Sequence, residues 1–597
     1  LKNHYHTLII GSGCAGFNAA DWLHDLGVRD IALITEGINM GTSRNTGSDK
    51  QTYYKLTLAG DEPDSVYEMA STLFSGGSVH GDTALIEAAC SVKSFMKLVN
   101  LGLPFPTNRF GAFVGYKTDH DPRQRATSCG PLTSKLMTEA LEKSVKGKGI
   151  EIIDNGLAVK LLCESGEIRG LALLDLAAGG YRVLGCRNVI LATGGPAGIY
   201  EDVVFPESQS GGSGLALDAG AAACNLSEWQ YGLASIDFRW NVSGTYQQVL
   251  PRYISVGADG AEREFLPDYF DVFDKEQALN MVFLKGYQWP FDVKKLAGSS
   301  RVDTAVAAEN AKGRAVYMDF RSNPAGLDFE KLSEECFGYL ERSDALFGTP
   351  IERLAKMNPK AVELYRSNGI DLYAEPLKVA VCAQHCNGGI AVDANWESSV
   401  RGLYVVGEAA GTFGVYRPGG SALNAAQVGA MRAAEHIAAV GTESRGDLRL
   451  PGFSPPKVVY GAPSEFYGEV KKRMSRHAAY IRDVDEMMKL LVELKERKAR
   501  FFEEAAVDLV SLHKRYDALV TQIAVLSAMV FSAEEIGSRG SALMGGAASD
   551  FDFEFDKHVD KVVTTRGDES YFEDVRPLPD CDDWFETVWN ESSSTSI

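Results

Sequence analysis

Six residues near the start constrain this chain more than any others. An apolar run from Tyr5 to Ile10 gives way to Gly11-Ser12-Gly13-Cys14-Ala15-Gly16, an amphipathic segment follows from Ala15 to Leu26, and a second apolar run covers Ile31 to Thr35. The pattern predicts strand, glycine loop, helix, strand. Glycines at these places let the backbone approach a pyrophosphate lying at the positive N-terminus of the helix. Glu36 stands at the end of the second strand, where a carboxylate accepts the ribose hydroxyls of an adenosine and disfavours a 2′-phosphate. Gly11, Gly13, Gly16 and Glu36 are therefore the expected core of a dinucleotide site.

Two later junctions repeat the theme. The apolar strand Asn188 to Ala192 runs into Thr193-Gly194-Gly195, and Gly402 to Val406 runs into Gly407-Glu408. Three strand-then-glycine junctions far apart in sequence predict one parallel sheet assembled from separated segments. They also favour an extended FAD over NAD, because further backbone is brought to one dinucleotide. Between them, from about Trp229 to Pro376, lies an aromatic-rich segment with no such junction, as an inserted domain would be. The Pro-bearing stretch Leu450 to Pro463 reads as a linker. From Ser464 to about Ala533 apolar residues recur at helical spacing (Met487, Leu490, Leu491, Leu494; then Leu509, Leu512, Tyr516, Leu519, Ile523), which predicts a helical bundle. The tail from Asp550 is acidic and ends in Ser and Thr, and its last residues are expected to be mobile. The expected fold class is α/β: a discontinuous Rossmann-like FAD-binding domain (1–228 and 377–450), an inserted α+β capping domain (229–376), and a C-terminal helical domain with its tail (464–597).

Composition narrows the function. Lys+Arg 60 against Asp+Glu 80 gives a net charge of -20, so nucleic acid and anionic lipid surfaces are repelled at long range. No nucleic-acid partner is expected. The longest apolar candidate, Asn424 to Val440, is broken by Arg432, Glu435 and His436, short of the roughly 18 residues that span a bilayer, so no membrane span is expected. The first strand begins by Tyr5, which leaves no room for a signal peptide in this sequence. The 10 cysteines are scattered singly, without zinc or iron–sulfur spacing. Reduced thiols, no metal and a cytoplasmic location are the expectation. Cys382 and Cys386 form the one close pair, on an expected loop.

These motifs resemble a known family. GSGCAG at Gly11, NVILATGG at Asn188, GGSGLALDAGAA at Gly211, SSRVDTAVA at Ser299, NGGIAVD at Asn387, RGLYVVGEAAG at Arg401, RPGGSALNAAQVGAMRAA at Arg417 and EIGSRGS at Glu535 are similar, in order and spacing, to the flavoprotein subunit of fumarate reductase and succinate dehydrogenase. That superfamily also includes aspartate oxidase. The resemblance implies FAD as cofactor, with Thr46, Ser48, Lys50, Ala158, Thr193, Gly194, Ser213, Glu408, Ser421 and Leu423 among its contacts. It implies hydride transfer between flavin N5 and a carbon beside a carboxylate. Arg301 then resembles the family's proton donor, and Arg417 the arginine that grips a substrate carboxylate through a bidentate pair. An external electron donor or acceptor is implied, either an iron–sulfur subunit or a diffusible molecule.

The departures carry as much information. A family histidine stands four residues before the Gly-Gly corresponding to Gly388-Gly389, and Gln384 occupies that place, with His385 one position later as the remaining candidate. The family's other substrate histidine falls on Gly232. Part of a dicarboxylate grip is therefore missing, which points to a substrate with one acidic end and a bulkier or less charged remainder. Tyr231, Tyr253, Trp240 and Tyr416 are the aromatic candidates to line its pocket. Where respiratory members carry the histidine joined covalently to flavin, this chain has Asn45, so a non-covalent FAD is expected. The expected function is a soluble FAD-dependent oxidoreductase acting on a carbon–carbon bond next to a carboxylate. Two alternatives stay open: an amino-acid oxidase resembling aspartate oxidase, and an FAD-bearing electron-transfer subunit of a larger complex.

Overall fold

The computed structural model describes residues 2–60, 62–270, 275–441, 450–462, 464–545, 556–580 and 584–594. Its first sheet has seven strands and is built on His4–Ile10, an apolar strand whose last six residues are all buried. This strand pairs in parallel with Ile31–Ile34 on one side and with Gly180–Leu191 on the other. Glu151–Ile153 extends the sheet in parallel beyond Ile31–Ile34. Gly180–Leu191 is long enough to serve two partners: its first half pairs antiparallel with Glu167–Asp175, its last residues parallel with Leu403–Val405. The registers Ile10↔Leu191 and Leu191↔Val405 bring the carboxyl ends of three strands level. All three glycine junctions leave the sheet side by side, at the edge where open α/β sheets bind ligands.

The helix Cys14–Asp25 follows the first junction and buries Phe17, Ala19, Ala20 and Leu23. It packs against Ser421–Val440, whose abundant alanines allow a close approach. That small-residue face explains why Asn424 to Val440 is apolar without being a membrane segment.

A second sheet has six strands in the order Trp240–Asn241, Trp229–Ser235, Leu377–Cys386, Ala315–Asp319, Arg252–Val256, Glu262–Glu264, and every pair is antiparallel. Leu377–Cys386 differs from expectation. It is not part of the first sheet but the strand that ties the inserted region together, and it contains both Cys382 and Cys386, which are buried on a strand rather than on a loop.

The C-terminal part holds the helices Phe466–His477, Val484–Ala499 and Leu509–Glu535. Asp483 caps the second by accepting from the Glu486 backbone N–H, and Asp508 with Ser511 forms a capping box on the third. Leu509–Glu535 is long and apolar enough to cross a membrane, but its apolar stretch is 67% buried inside the protein. It is a core helix packed against Val484–Ala499 and Ser213–Asp218.

The acidic tail is more structured than its composition suggests. Lys561–Arg566 and Glu569–Asp574 form a hairpin that joins Ala223–Cys224 and Gly389–Ile390 in a four-stranded sheet. The consecutive β-branched residues Val562, Val563, Thr564 and Thr565, all buried, give the hairpin its inner strand, a signal outweighed by the surrounding charge. The segments 550–555, 581–583 (with Cys581) and 595–597 lie outside the described residues.

Candidate active site

One cavity of about 900 Å³ runs from the three glycine junctions to the second sheet. At its first end lie Gly11, Ser12, Gly13, Cys14 and Ala15. The three glycines have different tasks. Gly11 has φ +115°, and a Cβ there would stand 2.3 Å from the carbonyl oxygen of Ala192. A Cβ on Gly16 would meet the Gly11 carbonyl oxygen at 1.9 Å, so Gly16 serves helix–strand packing and does not line the cavity. Gly13 differs: its Cβ would meet only the Ser43 side chain, with Oγ at 3.1 Å. No side chain of Gly13 can cap the helix, and the one nearby hydroxyl, Ser43 Oγ, accepts from the Cys14 N–H at 3.3 Å. The open helix start and the missing Cβ suit a pyrophosphate.

Glu36, Ala158, Thr193, Gly194, Glu408 and Leu423 line the same cavity, as do Thr46, Ser48 and Lys50. Thr46 donates its hydroxyl proton to the Val204 carbonyl at 2.8 Å, which leaves the hydroxyl oxygen only as an acceptor. Glu408 accepts from the Cys386 N–H at 3.0 Å, and burial pushes its pKa up to about 7. Two expected contacts, Ser213 and Ser421, are not among the residues that line the cavity. Ser213 is buried behind Gly212 and Gly214, which line the wall instead. Ser421 donates to the Pro418 carbonyl at 2.7 Å and accepts from Arg417 Nη1 at 3.4 Å, while its neighbours Gly420 and Ala422 line the cavity.

Asn45 is exposed, donates to the carbonyls of Asn39 and Gly41, and lies outside the cavity wall. Asp49 is held by the Thr245 N–H and hydroxyl at 2.8 and 2.7 Å, which pins this loop to the inserted region and leaves Lys50 at the cavity rim.

At the second end, Arg417 and His385 come together. Arg417 donates to Gln230 Oε1 at 2.5 Å, sits with its guanidinium carbon 5.5 Å from the Phe413 ring centre, and has an Nε without a partner among the described residues. Burial lowers its pKa to about 10, against the pull of Glu408 and Glu87. His385 turns Nδ1 to Asn387 Oδ1 at 3.1 Å, and its Nε2 has no partner among the described residues. Burial, then the charge of Arg417, hold His385 well below its ordinary pKa. A neutral ring donating through Nδ1 to Asn387 presents the Nε2 lone pair as an acceptor.

The two departures at Gly232 and Gln384 prove to be one feature. A Cβ on residue 232 would come within 2.7 Å of Gln384 Nε2, so the glycine makes room for the glutamine. Gln384 in turn accepts from Trp289 Nε1 at 2.8 Å. The aromatic wall is not the expected one. Tyr231, Trp240 and Tyr253 are core residues, and Tyr416 is outside the lining, donating to Asp292 at 3.1 Å. Phe283, Tyr287, Trp289 and Tyr339 line the cavity instead. Their helical neighbourhood gave no periodic signal separating lining from core.

Arg301 is also displaced from expectation. It stands in the first turn of Ser300–Ala311, half-buried, with its guanidinium carbon 5.5 Å from the Phe270 ring centre, and it is absent from the cavity wall. The nearby polar core is taken by Lys285 and Asp303, a fully buried pair 2.7 Å apart, and the helix phase that buries Asp303 turns Arg301 to the other side. The sequence motif was readable; the direction of its side chain was not.

A dinucleotide cradle joined to a cationic, aromatic-walled chamber defines a flavin-dependent oxidoreductase. Residues 6–423 match the family described as the FAD binding domain, and the chain belongs to that family. It is 28% identical over 440 residues to the L-aspartate oxidase of Mesorhizobium japonicum, covering 72% of this chain and 74% of that one. It is 26% identical over 511 residues to the L-aspartate oxidase of Agrobacterium fabrum, covering 84% and 87%. Its fold is similar to Escherichia coli quinol fumarate reductase FrdA, with a TM-score of 0.69 at 20% identity over 97% of this chain and 98% of that one. It is also similar to adenylylsulfate reductase from Archaeoglobus fulgidus, at a TM-score of 0.64 and 16% identity over 98% and 97%. FAD is the cofactor, and the chain is an FAD-dependent oxidoreductase, similar to L-aspartate oxidases in sequence and to fumarate reductase flavoproteins in fold.

Proposed function

We propose that this enzyme transfers a hydride between FAD and a substrate carbon beside a carboxylate, with Arg417 holding the carboxylate and the aromatic wall receiving a bulkier remainder. The observation that carries the reading is the partly uncommitted guanidinium of Arg417 beside His385 at the end of the flavin cavity. Arg417 supplies a planar pair of donors suited to a carboxylate. Gly11, Gly13 and the helix start hold the pyrophosphate, and Glu36 the ribose. When bound, FAD supplies a two-electron acceptor and donor. Phe283, Tyr287, Trp289 and Tyr339 would exclude water from the reacting carbon. In this reading His385 Nε2 accepts a proton as the substrate is oxidised and, by reversibility, returns it in reduction. Arg301, which lies against Phe270, is given no part in this reading.

Without the family's two histidines, fumarate and succinate are expected to be poor substrates. The test is to reduce the bound flavin anaerobically and follow its absorbance while unsaturated mono- and dicarboxylates are added. Reoxidation by a monocarboxylate with a large apolar end, faster than by fumarate, is the expected result, and efficient turnover of fumarate would refute the reading. The second reading, oxidation of a C–N bond in an amino acid, is favoured by the neutral acceptor His385 and by the likeness to L-aspartate oxidases. Hydrogen peroxide formed on adding L-aspartate in air would establish it. The flavin is proposed to be non-covalent, since Asn45 faces away and cannot bond to it. Acid precipitation should release all the yellow colour into the supernatant, and colour kept by the pellet would contradict this.

A further inference from the structure

The adenosine end of the cavity has a wall that the FAD-binding sequence motifs do not contain. His513, Lys514, Tyr516 and Asp517 line it beside Glu36, Ala158 and Asp218. All four belong to the C-terminal helix Leu509–Glu535, and their spacing places them on one helical face. Each has a partner in the first part of the chain except where the cavity itself is faced. His513 Nε2 meets the Tyr181 hydroxyl at 2.8 Å, and the Tyr516 hydroxyl donates to Asp218 Oδ1 at 2.9 Å. Asp517 turns its carboxylate to the backbone N–H groups of Gly214 and Leu215. Lys514 reaches furthest: its Nζ lies 2.5 Å from Glu36 Oε1, across 478 residues of sequence. The Lys514 and Glu36 side chains are 25% and 22% exposed, and both residues line the cavity.

We propose that Lys514 is a cofactor-binding residue, which orients the Glu36 carboxylate for the ribose and offers its remaining N–H donors to the adenosine, so that FAD clamps the C-terminal helix onto the first sheet. The chemistry supports both parts. A lone carboxylate at Glu36 could rotate freely, whereas an ammonium on one oxygen fixes the other toward the ribose hydroxyls. Lys514 has three donors and uses one on Glu36. A simple surface ion pair would stabilise little, and this pair has neither full exposure nor a position away from the ligand site. The bound adenosine would touch both the sheet edge and the helix, so its binding energy opposes their separation.

The test compares flavin-free parent, Lys514→Ala and Lys514→Arg, with ADP as a probe of the adenosine end alone and FAD as the full ligand. Lys514→Ala is expected to raise the dissociation constants of both roughly tenfold, the effect of losing one charged hydrogen-bonded contact, and Lys514→Arg to restore most of the loss. ADP should slow hydrogen exchange in the first turns of Leu509–Glu535 in the parent and less so in Lys514→Ala. The melting temperature without ligand controls for the fold. If it falls in Lys514→Ala while the increase produced by ADP is unchanged, Lys514 is a structural tie and the proposal is overturned. Unaltered affinity for ADP and FAD would overturn it equally.

Discussion

Replacing Arg417 by alanine is expected to weaken a carboxylate substrate by about 1.5–3 kcal/mol, roughly 10- to 150-fold in affinity, while the protein keeps its flavin. The reasoning is local. Arg417 sits at the far end of the cavity from the glycine loop, so the pyrophosphate and ribose contacts are untouched. Its loss strands Gln230, which now accepts from Arg417 at 2.5 Å, and removes the positive charge that faces Glu408 and Glu87. Both carboxyls are held above the ordinary range by burial, with Glu87 at about 8 and Glu408 at about 7, and both are lowered by Arg417. Without it they hold their protons more firmly and need not be left as unpaired charges. The fold should therefore survive. The measurement is substrate binding by flavin absorbance, made in parallel with the corresponding amide. An anion-specific loss supports the assignment, and an equal loss for acid and amide would show that Arg417 does not meet the carboxylate.

Gly13→Val should abolish flavin retention without unfolding the chain. Gly11 and Gly16 could not be used for this purpose, because added Cβ atoms would collide with backbone oxygens at 2.3 and 1.9 Å. Gly13 has φ -76°, acceptable to valine, and only the movable Ser43 side chain near its Cβ. The new methyl groups enter the cavity at the helix start, where the pyrophosphate is proposed to lie. Overpacking costs about 1–3 kcal/mol and each lost hydrogen bond to a charged group about 1.5–3 kcal/mol, so the affinity should fall ~100-fold or more. The far-ultraviolet circular dichroism and melting of the flavin-free parent should be retained. A yellow Gly13→Val protein with one flavin per chain would remove the glycine loop from the cofactor site.

How far the sequence could be read depended on whether a feature was set by backbone or by side-chain direction. The glycine loop was legible because glycine is the residue type that allows such close approach, and its neighbours Glu36 and Glu408 followed at strand ends. Their meeting in one place needed only the parallel register. Gln384 and Gly232 were noticed as separate departures, and their coupling appeared only when the strands Trp229–Ser235 and Leu377–Cys386 were seen to pair across a bulge between Gln230 and Tyr231. The same bulge alters the alternation of faces, so both Gln384 and His385 reach the cavity.

By itself the sequence determined the dinucleotide cradle, the discontinuous sheet and the acid–glycine chemistry at its edge, since these rest on local backbone requirements carried by a few residue types. Tertiary structure alone decided which side chains face the substrate. Phe283, Tyr287, Trp289 and Tyr339 form the wall while Tyr231, Trp240 and Tyr253 fill the core, although composition treats all seven alike. Arg301 turns to Phe270 because its helix commits the opposite face to the buried Lys285–Asp303 pair. Lys514 reaches Glu36 because a C-terminal helix returns to the first sheet. The last of these contacts joins residues 478 positions apart, and only packing, which fixes the rotation of each helix and the register of each strand, can select contacts of this kind.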